Sequence, residues 1–115
     1  MVKIFHNPKC SKSRATLQLL RDRGIEPEIV EYLKTPPSAA ELDELLTLLG
    51  REPRQLMRTK EAAYAQCGAG DDGLDRAALI ACMVDNPVLI ERPVVVAGGK
   101  AAVGRPPEDV LAILD

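Results

Sequence analysis

The chain has 115 residues, 46% hydrophobic and 28% charged, with 15 basic against 17 acidic side chains. That length suits one compact domain with a single core, and no apolar run approaches the roughly 18 residues that span a bilayer. A net charge of −2, with Phe5, Tyr32 and Tyr64 as the aromatics, supplies neither the positive field nor the stacking platform that nucleic acid binding requires.

Met1 leads directly into strand-like residues, without the basic, apolar and small-residue segments of a secretory signal, so a cytoplasmic location is expected. Val2 to His6 reads as a buried strand. Ser13 to Asp22 then carries Ala15, Leu17, Leu19 and Leu20 in a helical pattern that closes at Gly24. Glu28 to Leu33 alternates polar and apolar residues as a second strand, which makes a βαβ unit with parallel pairing and a right-handed crossover. Ser38 and Glu41 form a capping-box pattern that opens a helix through Leu49, ended by Gly50.

Arg51 to Gln66 suggests short helical pieces, residues 68–73 a glycine-rich loop, and Leu74 to Val84 a further helix, so residues 38–86 form a helical insertion. Val94 to Val96, a turn at Gly98-Gly99 and Lys100 to Val103 read as a β-hairpin. Arg105-Pro106-Pro107-Glu108 starts a last helix to Leu114. This order predicts one α/β domain over residues 1–115, thioredoxin-like (glutaredoxin-like), with a mixed sheet, flanking helices and the insertion.

Cys10 stands where the first strand turns into the first helix. The dipole and free N–H groups of a helix start favour a thiolate, and Lys9, Lys12 and Arg14 add positive charge. Most isolated cysteines are small buried hydrophobes, but this one lies in a polar loop, which points to a reactive thiol. Cys67 and Cys82 keep the structural reading. The three cysteines are widely spaced with no C-x-x-C pair, and His6 is the single histidine, so neither a disulfide framework nor a metal site is expected.

Ser11, Ser13 and Arg14 follow Cys10 closely enough for their side chains and the helix-start N–H groups to hold an oxyanion, a plain N-cap serine being the alternative. Ser13 also occupies the second position of a would-be C-x-x-C motif, so an oxidised Cys10 needs an external thiol to resolve it. His6 is placed to tune the thiol or to hold the loop, and Asn7, before Pro8, to shape the turn. Arg58, Arg92 and Arg105 are candidate oxyanion ligands, since a guanidinium makes bidentate contacts that lysine cannot. Arg92 precedes Pro93, where a cis peptide bond would set the turn.

The blocks His6-Asn7-Pro8-Lys9-Cys10-Ser11-Lys12-Ser13-Arg14, Tyr32-Leu33-Lys34-Thr35-Pro36-Pro37, Leu56-Met57-Arg58, Asn86 through Pro93 and Gly104-Arg105-Pro106 together resemble the arsenate reductase family that uses glutathione and glutaredoxin. The resemblance covers essentially the whole chain. It implies a thioredoxin-like fold, a nucleophilic cysteine at Cys10, oxyanion-binding arginines at Arg58, Arg92 and Arg105, and a cis proline at Pro93. It also implies arsenate as substrate, glutathione as co-substrate, glutaredoxin as partner, no bound cofactor, and a role in arsenic detoxification. Ser11-Lys12 in place of Gly-Thr, and an end at Asp115 without a longer tail, resemble a short-chain subgroup of that family. Two other readings share the fold: a glutathione-linked disulfide oxidoreductase, and a redox-responsive regulator that binds RNA polymerase. The second of these generally carries a C-x-x-C switch that Ser13 removes.

Overall fold

The computed structural model describes residues 2–114, so Met1 and Asp115, at the ends of the expected domain, lie outside the described residues. The chain forms two compact units: residues up to Thr35 together with those from Arg92 onward, and the intervening Pro36–Glu91.

In the first unit β1 (Val2–Phe5) is followed by α1 (Ser11–Asp22) and β2 (Glu28–Val30), and the chain returns later as β3 (Val94–Ala97) and β4 (Lys100–Val103). The strand order is β2-β1-β3-β4. β1 pairs parallel with β2, Ile4 opposite Ile29, and antiparallel with β3, Ile4 opposite Val95. The parallel βαβ unit and the hairpin follow the sequence pattern, and the mixed four-stranded sheet with flanking helices is the expected α/β arrangement. Ile4 and Val95 meet Leu17 and Leu20 of α1 and Val110 of the last segment in one apolar cluster. Several of the sequence boundaries shift. His6 is outside β1, although its N–H still donates to the Val30 carbonyl at 2.8 Å. β2 stops at Val30 rather than Leu33, because the Glu31 carbonyl accepts from the N–H groups of Lys34 and Thr35 and turns the chain. α1 begins two residues earlier than expected, at Ser11, with Cys10 as its N-cap.

The last segment is the expected final helix. It is a 3-10 helix over Pro107–Ile113. Pro107 opens the helix at its first position, where a missing N–H costs nothing because that group has no partner inside the helix. Pro107, Val110 and Ile113 then recur every third residue, the period at which a 3-10 helix stacks its side chains on one side. Val110 is fully buried and Ile113 packs on the same apolar cluster.

The second unit is the helical insertion. α2 (Ala39–Leu49) starts from the expected capping box, with the Glu41 N–H donating to Ser38 Oγ and the Ser38 N–H to Glu41 Oε1, both at 3.1 Å, and ends at Gly50 with a left-handed φ of 65°. A 3-10 turn at Pro53–Leu56 and the short α3 (Ala62–Gln66) are the expected helical pieces. α4 (Arg76–Asp85) starts two residues later than the apolar pattern suggests, because the Asp75 carboxylate accepts from the Ala78 N–H at 2.9 Å and sets the cap there.

Candidate active site

The loop from His6 to Cys10 is shaped by short-range hydrogen bonds. The Cys10 N–H donates to the Asn7 carbonyl at 3.0 Å, and the Lys9 N–H to Asn7 Oδ1 at 3.0 Å. Arg14 reaches back from α1 and donates from Nη1 to the Pro8 carbonyl at 3.0 Å. Ser13 is fully buried beneath the loop, its Oγ 2.6 Å from His6 Nδ1 and accepting from the Asn7 N–H at 3.0 Å. Burial lowers the His6 pKa, with Arg21 and Arg14 acting the same way against Glu31. A neutral imidazole protonated on Nε2 accepts the Ser13 hydroxyl proton at Nδ1 while Ser13 Oγ accepts from Asn7, so all three groups are satisfied. The hydroxyl is therefore committed inside the loop, a role that neither the oxyanion reading nor the N-cap reading of Ser13 anticipates. Ser11 is exposed on the first turn of α1.

Cys10 is 8% exposed, more recessed than its polar neighbours suggest. It has extended backbone angles, φ −97° and ψ 123°. Burial pushes the thiol up, but the first-turn N–H groups of Ser13 and Lys12 and the Arg92 guanidinium beside the sulfur outweigh it and leave the pKa below the ordinary thiol value. Arg105 approaches from the opposite end of the chain, its Nη2 4.0 Å from Cys10 Sγ. Its Nε donates to the Arg92 carbonyl at 2.9 Å, which locks the two arginines to one another.

The Arg92–Pro93 peptide bond is cis, as the sequence reading anticipates, and Arg105–Pro106 is cis as well, which it does not. The signal for the second was present in the repeated Arg-Pro pair. Gly104 was also missed. Its N–H donates to the Pro93 carbonyl at 2.9 Å, and a Cβ there would stand 2.6 Å from Thr16 Oγ1 and 2.9 Å from Pro93 Cγ. Only glycine lets α1, Pro93 and the Arg105 segment approach so closely.

Cys10, Arg92 and Arg105 are thus brought together, with His6, Asn7, Ser13 and Arg14 holding the loop behind the thiol. Arg58 belongs to the second unit, where its Nη1 pairs with Glu61 Oε1 at 2.7 Å and its N–H donates to the Leu89 carbonyl. Among the described residues no group of three or more His, Cys, Asp or Glu is arranged to hold a metal ion, and no helix is long and apolar enough to cross a membrane. A polarised thiolate flanked by two guanidiniums suits nucleophilic attack on a compact oxyanion.

Comparison with known proteins points the same way. The model of the ArsC family matches residues 5–113. An uncharacterised Escherichia coli protein, YfgD, is 58% identical over 98% of this chain and 96% of its own length. An arsenate reductase of Neisseria meningitidis is 51% identical over 98% of this chain and 97% of its own. The solved structure of an arsenate reductase from Vibrio cholerae superposes with a TM-score of 0.96 at 54% identity, covering 98% of this chain and 97% of that one.

Proposed function

The chain belongs to the ArsC family, and on that premise we propose that it reduces arsenate to arsenite through the Cys10 thiolate. The observation that carries this reading is the placement of Cys10 Sγ beside Arg92 and within 4.0 Å of Arg105 Nη2, with the thiol held below its ordinary pKa. Arsenate is a tetrahedral oxyanion, and two locked guanidiniums bind its oxygens while the sulfur faces the arsenic. Arg58 is assigned as the third oxyanion ligand on the strength of the family resemblance.

The thiolate attacks arsenic and forms an S–As bond, and one oxygen leaves as water after protonation, with the guanidiniums offsetting the charge on those that remain. A second thiol then attacks Cys10 Sγ. The S–As bond breaks with its electron pair moving to arsenic, so arsenic goes from pentavalent to trivalent as the two sulfurs become a disulfide. Ser13 offers no thiol at the neighbouring position, so the attacking thiol comes from outside the loop. Glutathione is assigned that role, and glutaredoxin the reduction of the mixed disulfide that results. The same reading places the protein in the cytoplasm, in arsenic detoxification, without a bound cofactor.

Arsenite release from arsenate, measured with glutathione plus glutaredoxin and separately with thioredoxin as reductant, tests both parts. Sustained turnover with the first pair supports the full reading. Turnover with thioredoxin alone removes glutathione from it. Reduction of a glutathione mixed disulfide with no arsenite formed would replace arsenate reduction with glutathione-linked disulfide exchange.

A further inference from the structure

The second unit holds a pair of thiols that the reaction above does not use. Cys67 follows α3 and Cys82 lies on the second turn of α4, fifteen residues on, yet the Cys82 thiol donates to the Cys67 carbonyl at 3.4 Å. The Cys67 thiol lies close enough to act on the Cys82 thiol, and neither is in a disulfide. The Cys67 thiol donates in turn to the Tyr64 carbonyl at 3.6 Å. The loop between them is pinned rather than loose. Arg54 donates from Nε to the Ala69 carbonyl at 2.9 Å and from Nη2 to the Asp71 carbonyl at 2.6 Å, and Ala69 is fully buried. Cys82 is nearly buried, while Cys67 is half-buried and gives access to the pair.

We propose that Cys67 and Cys82 form a dithiol site that captures trivalent arsenic, the product form of the reaction assigned to Cys10. The proposal rests on that assignment only for the identity of the arsenical, because the pairing of the two cysteines is carried by the hydrogen bond from the Cys82 thiol to the Cys67 backbone. Two adjacent sulfurs suit a soft thiophilic centre, and a pair without further ligands suits trivalent arsenic, which binds two sulfurs and keeps one hydroxyl, rather than a tetrahedral metal ion. The step balances without an oxidant. Arsenous acid and two thiols exchange two As–O and two S–H bonds for two As–S bonds and two waters, and arsenic stays trivalent.

Burial, reinforced by the Cys67 thiol, pushes the Cys82 thiol up to about 11, so that thiol and neutral arsenous acid meet uncharged and no ion is created at the more buried of the two sulfurs. Disulfide formation, by contrast, proceeds through a thiolate, the form that this setting disfavours at Cys82.

The test uses phenylarsine oxide on the full chain carrying Cys10→Ser, so that the reactive thiol of the first unit cannot contribute and arsenate turnover plays no part. Intact mass and thiol titration should show one arsenical retained per chain with two thiols consumed. Adding Cys67→Ser, the less buried change, or Cys82→Ser should weaken retention at least about 100-fold, the loss expected when the second attachment is no longer intramolecular. Circular dichroism checks that each variant is folded. Retention that is unchanged by either serine, consumption of one thiol per arsenical, or loss of both thiols as a disulfide with no arsenical retained would each overturn the proposal. None of these results bears on whether wild-type protein reduces arsenate, which the release of arsenite measures separately.

Discussion

Cys10 and Cys82 are each 8% exposed, yet their thiols are driven in opposite directions. Burial opposes the charged form at both. At Cys10 the helix-start N–H groups and Arg92 overcome it, whereas at Cys82 the other thiol and Asp85 reinforce it. Alkylation of Cys10 by iodoacetamide, followed against pH, should therefore show a midpoint below the ordinary thiol value of about 8.5, and Arg92→Ala should move that midpoint upward. Arg92→Lys should fall between the two, since a lysine keeps the charge and loses the planar fork. An unchanged midpoint in Arg92→Ala would remove that arginine from the thiol. His6 gives a second prediction at this scale. Its pKa is lowered in the fold, so the unfolded chain takes up a proton first as pH falls. The associated stability is present above the unfolded value of about 6.5 and is lost as pH drops through the folded value. Urea unfolding at pH 7.5 and 5.5 should show a loss in wild type that His6→Gln reduces. Ser13→Ala should cost about 1–3 kcal/mol at either pH, because it strands the Asn7 N–H beneath the loop.

At the level of elements, the contact between α1 and the turn before Arg105 depends on Gly104. A methyl group there meets Thr16, whose Oγ1 is held by the Lys12 carbonyl at 2.8 Å, and the ring of Pro93. Gly104→Ala should destabilise the protein by about 1–3 kcal/mol through overpacking. Because Arg105 is the next residue, the same change should also raise the alkylation midpoint of Cys10. Ser38→Ala makes the contrast: it removes a cap in the second unit, so about 1 kcal/mol of stability should be lost with the Cys10 midpoint unchanged. Thermal unfolding and the alkylation profile of both variants check the pair. The elements themselves were legible wherever a local rule decided them, as at the Ser38–Glu41 box, the Gly50 cap and the Gly98-Gly99 hairpin. Where two local signals competed, the sequence did not decide between them. The cap at Asp75 competed with a good apolar pattern at Leu74, and the shortness of β2 followed from a turn at Glu31 that alternation in Glu28 to Leu33 concealed.

For the whole molecule, the sheet of the first unit brings residues from both ends of the chain to one thiol. β1 delivers the loop to Cys10, and the central antiparallel pairing of β3 with β1 carries Arg92 to the same end of the sheet. β4 then returns the chain for Arg105 to reach Cys10 and bond the Arg92 carbonyl. Arg92 and Arg105 were named from their Arg-Pro contexts, but their mutual lock was not legible, because it depends on a side chain reaching a backbone thirteen residues away. The committed hydroxyl of Ser13 was hidden for the same reason: His6 and Asn7 reach it only once the loop has closed. Chemistry centred on one thiol makes a sharp demand of the three cysteines. Arsenite release from arsenate, with glutathione and glutaredoxin supplied, should be abolished in Cys10→Ser and persist in Cys67→Ser, and release from Cys10→Ser at the wild-type rate would contradict the account.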